Sequence, residues 1–291
     1  MTTPIRDLVA GELAAPVDPQ VTAMAQAIAA AHGGAAQAVL FYGSCLRQAQ
    51  LDGLMLDFYL IVSDYRAAYD KRWLATANRL VPPNVFYFEH GGLVAKYAVL
   101  DEADFRRECG PDARSTSVVA RFAQPSRLVW AKDDAARAAA VDAIAKAAPT
   151  LLGWAAPLAP SSATPRDLWL KAFQLTFGAE LRAERGDRSA MIVDADADRY
   201  ERFGAAAMHQ LAARPANAQR WWKRMQRKGK LLSVARLAKA TATFAGGADY
   251  IVWKINRHAG TAIELKPWQR RWPLLAGITL LPRLLKTGAV R

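Results

Sequence analysis

Gly43, Ser44 and Asp57 are the residues whose types and spacing point most directly to chemistry. Leu40-Phe41-Tyr42 is an apolar run that stops at Gly43-Ser44, and Asp57 follows after twelve residues inside a second apolar run, Leu54 to Val62. A glycine where a strand turns lets the backbone approach a ligand, and a serine hydroxyl with neighbouring amides donates to phosphate oxygens. A carboxylate in an apolar strand is costly to bury unless a cation or donors satisfy it. Phosphate donors beside one carboxylate are what a site for Mg²⁺ and a polyphosphate needs. Gly43 and Ser44 are therefore candidate phosphate binders, and Asp57 a candidate metal ligand and catalytic residue.

A second carboxylate two residues along the same strand would face the same side and allow two ions to be held. Those positions are Tyr59 and Met55, which leaves Asp64, Glu89 and Asp52 as candidates for a further ligand. Cys45 has no histidine near it in sequence and reads as a small buried turn residue. His32, His90, His209 and His258 are dispersed and read as surface or turn residues.

Positioning these groups requires strands. Residues 38–42 and 54–62 are expected to be buried strands, 84–89 and 93–100 a hairpin turning at Gly91-Gly92, and 126–130 a further strand. Helical periodicity covers 20–34, 66–80, 101–108 and 134–148. The proline-rich segment Gly153 to Pro165 reads as a boundary, beyond which helices are expected at 166–185, 196–212, 216–228, 230–243 and 248–257. The predicted organisation is an α/β domain with a mixed sheet over 1–155, a mainly helical domain over 165–260 and a short C-terminal segment, 261–291.

Two cysteines in 291 residues exclude a disulfide framework, and no apolar run reaches the roughly 20 residues of a spanning helix. No targeting segment is evident at the start of the sequence. The net charge of +13 is concentrated: residues 220–291 carry 16 Lys and Arg against Asp249 and Glu264. An anionic partner follows, either a nucleic-acid backbone or an anionic lipid surface. Cations alternate with indoles at Trp221-Trp222 and again from Lys266 to Trp272, before a leucine-rich stretch ending near Leu285. Such a pattern is expected of a segment lying in a membrane interface.

The strand, Gly-Ser turn and carboxylate-bearing strand resemble those of nucleotidyltransferases. An ordered series of short matches, from about residue 38 to 203, resembles more narrowly the mitochondrial-type phosphatidate cytidylyltransferases, also called translocator assembly and maintenance proteins. Tyr42-Gly43-Ser44 is similar to the family's Tyr-Gly-Ser. Met55-Leu56-Asp57-Phe58, with Val62 and Asp64, resembles its Met-Ile-Asp-Phe strand and the acidic pair beyond. Val85-Phe86-Tyr87-Phe88 resembles its aromatic strand, and Lys96-Tyr97-Ala98-Val99 its Lys-Tyr-Gly-Val. Ala120-Arg121-Phe122-Ala123-Gln124-Pro125 is similar to Gly-Arg-Leu-x-Lys-Pro, and Phe177-Gly178-Ala179-Glu180-Leu181-Arg182 to Tyr-x-Gly-Asp-x-Arg, with Met191-Ile192-Val193 after it. Gln124, Glu180 and Ala98 depart from the pattern.

The resemblance implies transfer of CMP from CTP to phosphatidate with Mg²⁺, yielding CDP-diacylglycerol and pyrophosphate. It implies Ser44 and the turn amides on the triphosphate, Asp57 and Asp64 on the metal, and Lys96 and Arg121 on phosphates. It also implies a peripheral enzyme on an anionic phospholipid membrane, at the cytoplasmic face of a bacterial inner membrane. Two alternatives stay open: a nucleotidyltransferase acting on RNA or a small molecule, nucleic acid being the less favoured partner, and a catalytically inactive binding module, suggested by Tyr59.

Overall fold

A computed structural model of the chain describes residues 3–47, 51, 53–179, 188–211, 216–243, 264 and 266–271. Five strands, β1 (Ala36–Tyr42), β2 (Met55–Val62), β3 (Asn84–His90), β4 (Leu93–Asp101) and β5 (Ser126–Ala131), form one sheet in the order β3-β4-β2-β1-β5. β2 and β4 run parallel and the other pairs antiparallel, so the sheet is mixed as expected. β1 and β2 are apolar on both faces because both faces are covered. Val39, Phe41, Leu56, Phe58 and Leu60 pack beneath α2 (Pro19–Ala30). That helix starts where Asp18 caps the Gln20 amide and Pro19 presets the first turn.

The opposite face carries Leu40, Tyr42, Tyr59, Ile61 and Leu100. It packs against α1 (Ile5–Leu13), α5 (Glu102–Glu108), α6 (Thr116–Phe122), α7 (Asp134–Ile144) and α8 (Ala147–Ala155). The same apolar cluster continues without a break into Trp169 and Phe173 of α9 (Pro165–Phe177), Tyr200 and Phe203 of α11 (Ala197–Met208) and Trp222 of α12 (Ala218–Thr243). The expected division between 1–155 and 165–260 is thus a surface turn within one core. Proline there starts α9, whose capping box pairs Thr164 with Asp167, instead of linking two bodies. Trp222, expected at a membrane interface, is buried and donates to the Trp154 carbonyl, while Trp221 packs on the Trp154 ring.

Arg199 fastens the two halves. It is 3% exposed, donates twice to the Glu12 carboxylate at 2.5 and 3.1 Å, and donates to the Ala123 carbonyl at 3.0 Å. Its guanidinium also lies 4.1 Å from the centre of the Phe203 ring.

Local reading and structure part company in several places. The stretch 66–80 is two helices, α3 (Tyr65–Ala68) and α4 (Arg72–Leu80). The stretch 216–243, read as two helices broken at Gly229, holds one continuous helix, Ala218–Thr243. The glycine is there for packing, since a Cβ at Gly229 would lie 2.5 Å from the Ala179 carbonyl oxygen. The expected helix at 248–257 lies outside the described residues, as do Asp52, Glu180 and Arg182 and all of the tail from Trp272 onward. Among the described residues, no helix is long and apolar enough to cross a membrane.

His32, read as a surface or turn residue, lies in the turn after α2 and is partly buried between α3 and β4. Its Nδ1 lies 3.0 Å from the Ala68 carbonyl oxygen and its Nε2 3.1 Å from the Tyr97 hydroxyl. The carbonyl fixes the tautomer, with Nδ1 donating and Nε2 accepting. Burial lowers the imidazole pKa below its ordinary 6.5 despite the Ala68 carbonyl and nearby Asp70. The depressed value gives a stabilising contribution that is complete above 6.5 and is lost as pH falls below it. Denaturant melts between about pH 7.5 and 5 should therefore show a larger loss of stability for the wild type than for His32→Gln. Parallel pH profiles for the two proteins would remove this role.

Candidate functional site

Strand register assembles the site. Ser126, Tyr42, Asp57, Lys96 and Tyr87 form one row across β5, β1, β2, β4 and β3. Register partners share a face, so Asp57 and Lys96 project together on the side of Tyr42 and Tyr59. Lys96 Nζ lies 3.1 Å from Asp57 Oδ1, and both side chains remain open to solvent, at 43% and 20% exposure.

Gly43 leaves β1 with φ of +94°, and a Cβ on it would meet Asp57 Oδ2 at 3.0 Å. No other residue gives that turn without strain and without crowding the carboxylate. Ser44 is exposed at the head of a 3-10 turn, Ser44–Arg47. Gly43, Ser44, Asp57 and Lys96 therefore meet at one corner of the sheet. Arg121, on the last turn of α6, places its guanidinium 4.8 Å from the centre of the Tyr42 ring and joins them.

Asp64 does not join them. It lies past the far end of β2, seven residues from Asp57, which at about 3.3 Å per residue is on the order of 20 Å away. There it caps α3 through the Arg66 amide and faces Arg79 at 3.8 Å. Asp64 is a helix cap, and its assignment as a metal ligand beside Asp57 is withdrawn. Glu89 is exposed on edge strand β3, its carboxylate held by the Tyr87 hydroxyl.

Sequence reasoning missed two residues that the fold brings in. Arg236 and Lys239 descend from α12 onto the loop before β3. Arg236 Nε donates to the Pro82 carbonyl at 2.7 Å and its Nη1 to Ser117 Oγ at 3.0 Å. Lys239 Nζ donates to the carbonyls of Val81 and Pro83, the latter at 2.7 Å. With Lys96, Tyr42, Tyr59 and Val85 they line a cavity of about 170 Å³ beside the Asp57 corner. A cavity of about 350 Å³ lies next to Gln37 and Ile61, at the opposite ends of β1 and β2, and shares none of these residues.

Burial pushes the Tyr42 hydroxyl well above its usual pKa, reinforced by the charge of Asp57, and raises that of Tyr59. Both stay neutral and act as wall. Burial and Asp57 also raise the Cys45 thiol, while its Sγ rests 3.6 Å from the Met55 carbonyl oxygen. A nucleophilic role for Cys45 is disfavoured. Lys239 is brought down to about 7 by burial and by the charge of Arg236.

Among the described residues, no three Asp, Glu, His or Cys side chains gather to hold a metal. Asp57 is the carboxylate at this corner, and Tyr59 occupies the position of a same-face partner. The described residues therefore form no two-ion centre at this corner. One carboxylate does suit a single Mg²⁺ whose remaining ligands are phosphate oxygens and water.

No family model matches the chain, and no curated protein matches it. Among solved structures, it is similar to a nucleotidyltransferase-like protein from Exiguobacterium sibiricum 255-15, at 10% identity and a TM-score of 0.30 over 92% of each chain, a likeness too slight to bear on fold or activity.

Proposed function

We propose that the chain is a nucleotidyltransferase that moves CMP from CTP to phosphatidate at an anionic membrane surface. The observation that carries this reading is the placement of Asp57 against the Gly43-Ser44 turn with Lys96 in register beside it. Phosphate donors, one carboxylate and a cation on one open corner match the needs of a triphosphate with its metal. The ordered resemblance selects CTP and phosphatidate within that chemistry.

In the reaction, a phosphate oxygen of phosphatidate forms a bond to the α-phosphorus of CTP as the bond from that phosphorus to the β-bridging oxygen breaks, releasing pyrophosphate. The acceptor is already anionic at neutral pH, so positioning and charge neutralisation do most of the work and no strong base is required. The Ser44 hydroxyl orients the triphosphate. Lys96 and Arg121 offset charge on the phosphates, and Asp57 holds Mg²⁺. The ion, when bound, neutralises phosphate charge and polarises the phosphorus centre. The cations of residues 220–291 other than Arg236 and Lys239 provide the attraction to anionic lipid, at the cytoplasmic face of a bacterial inner membrane.

Full-length protein with Mg²⁺ is expected to incorporate labelled CTP into lipid on phosphatidate vesicles and to release pyrophosphate. No incorporation with intact, folded protein rejects the reading. Tyr59 in place of a second carboxylate favours a binding module as the alternative, which is the conclusion if CTP binds and is not turned over.

A further inference from the structure

We propose that the cavity between β4 and α12 is a binding site for one phosphate dianion, gripped by Arg236, Lys239 and Lys96 with Ser117 as an added donor. It rests on the functional reading above and gives it a second subsite, apart from the Gly43-Ser44 turn. Three cationic side chains line the cavity, and none of the described residues lining it is acidic. Asp57, adjoining it, partners Lys96. The other two cations rest on neutral groups, the carbonyls of Val81, Pro82 and Pro83 and the Ser117 hydroxyl. Neutral acceptors satisfy hydrogen bonds, and among the described residues no carboxylate pairs with either cation.

Arg236 and Lys239 are three residues apart on α12 and so share a face, where like charges repel. Burial, and after it this repulsion, lowers the affinity of Lys239 for its proton. A helix that sets two cations into a partly enclosed space is stabilised by an anion that arrives there, and charge-assisted bonds to phosphate are the strong ones. One dianion balances the pair. About 170 Å³ suits a single phosphate group with few attached atoms. Tyr42, Tyr59, Val85 and Ala98 offer it an apolar wall on the other side. Arg236 also faces a neighbouring cavity of about 150 Å³ with Ser115 and Ser233, which leaves a polar margin for ester oxygens.

Two sources share this chemistry: the phosphomonoester of the lipid acceptor and the leaving phosphates of the nucleotide. Full-length protein is titrated calorimetrically with inorganic phosphate, pyrophosphate, water-soluble dihexanoyl phosphatidate and CTP with Mg²⁺. Arg236→Gln and Lys239→Gln are each expected to weaken binding of at least one phosphate probe by about tenfold or more, with Arg236→Lys recovering part of the loss. Weakening confined to phosphatidate assigns the site to the acceptor, and weakening confined to pyrophosphate and CTP assigns it to the nucleotide. Ser117→Ala removes a donor while leaving the carbonyl contacts of α12 in place, and a loss of a few fold is expected at an unchanged melting temperature. The proposal is overturned if no phosphate probe binds the wild type, or if folded cation variants bind all four probes as the wild type does. Should those variants fail to fold, unaltered probe binding by Ser117→Ala overturns it. Normal CTP binding with unaffected phosphate probes breaks this inference alone, whereas absent CTP binding with cation-dependent phosphate binding breaks the functional reading alone.

Discussion

Asp57→Asn should lower CMP transfer by at least about a hundredfold, equivalent to roughly 3 kcal/mol of transition-state stabilisation, while leaving the melting temperature nearly unchanged. The two halves of this expectation have different sources. Activity falls because Asp57 is the carboxylate at the corner where phosphate donors and Lys96 meet, and the amide is a poor ligand for Mg²⁺. Stability is spared because Lys96, at 43% exposure, is hydrated without its partner. Labelled CTP incorporation and a thermal melt on one preparation measure both. An active Asp57→Asn protein would move the chemistry away from this corner.

Breaking the Arg199–Glu12 pair should have the largest effect on stability. Arg199→Met leaves the Glu12 carboxylate, 11% exposed, without its partner, and the Ala123 carbonyl loses a donor. Removing one member of a buried pair costs about 3 to 5 kcal/mol. In a chain of this size that corresponds to a fall of roughly 10 °C in melting temperature. Replacing both members, as Arg199→Met with Glu12→Leu, should recover much of the loss, because the stranded charge is gone. A single variant within about 0.5 kcal/mol of the wild type would show that the pair does not hold the halves together.

Strands were legible where the chemistry was local. Leu54 to Val62 reads as a strand because β-formers run through it, and Gly91-Gly92 announces the hairpin that brings Lys96 back through the sheet. Asp57, Gly43 and Ser44 were found from spacing because they lie at facing ends of adjacent strands that follow one another in sequence. Asp64 was misjudged because closeness in sequence along an extended strand is distance in space. Helix breaks misled for a related reason: Gly229 looks like an end, and only the neighbouring Ala179 carbonyl explains it as a contact. Arg236 and Lys239 carried no local signal, since their partners lie 119 to 158 residues earlier. The basic last quarter hinted at anion binding without saying which cations face inward. Trp222 was misplaced likewise, as an indole beside cations looks the same whether it meets lipid or Trp154.

The single core has a consequence for the order in which the molecule is made. Glu12 emerges from the ribosome 187 residues before Arg199, and α1 shares its apolar cluster with Trp169, Phe173 and Phe203. The α/β part is therefore synthesised in full while the outer sides of α1, α6 and α8 still lack the helices that cover them. Until α9 and α11 arrive, the apolar side chains of α8 form an incomplete surface, and Glu12 keeps its hydration shell instead of its partner. Native structure becomes complete only late in translation, and the corner that holds Asp57 gains the Arg236 and Lys239 side of its cavity last, when α12 is laid across the loop before β3.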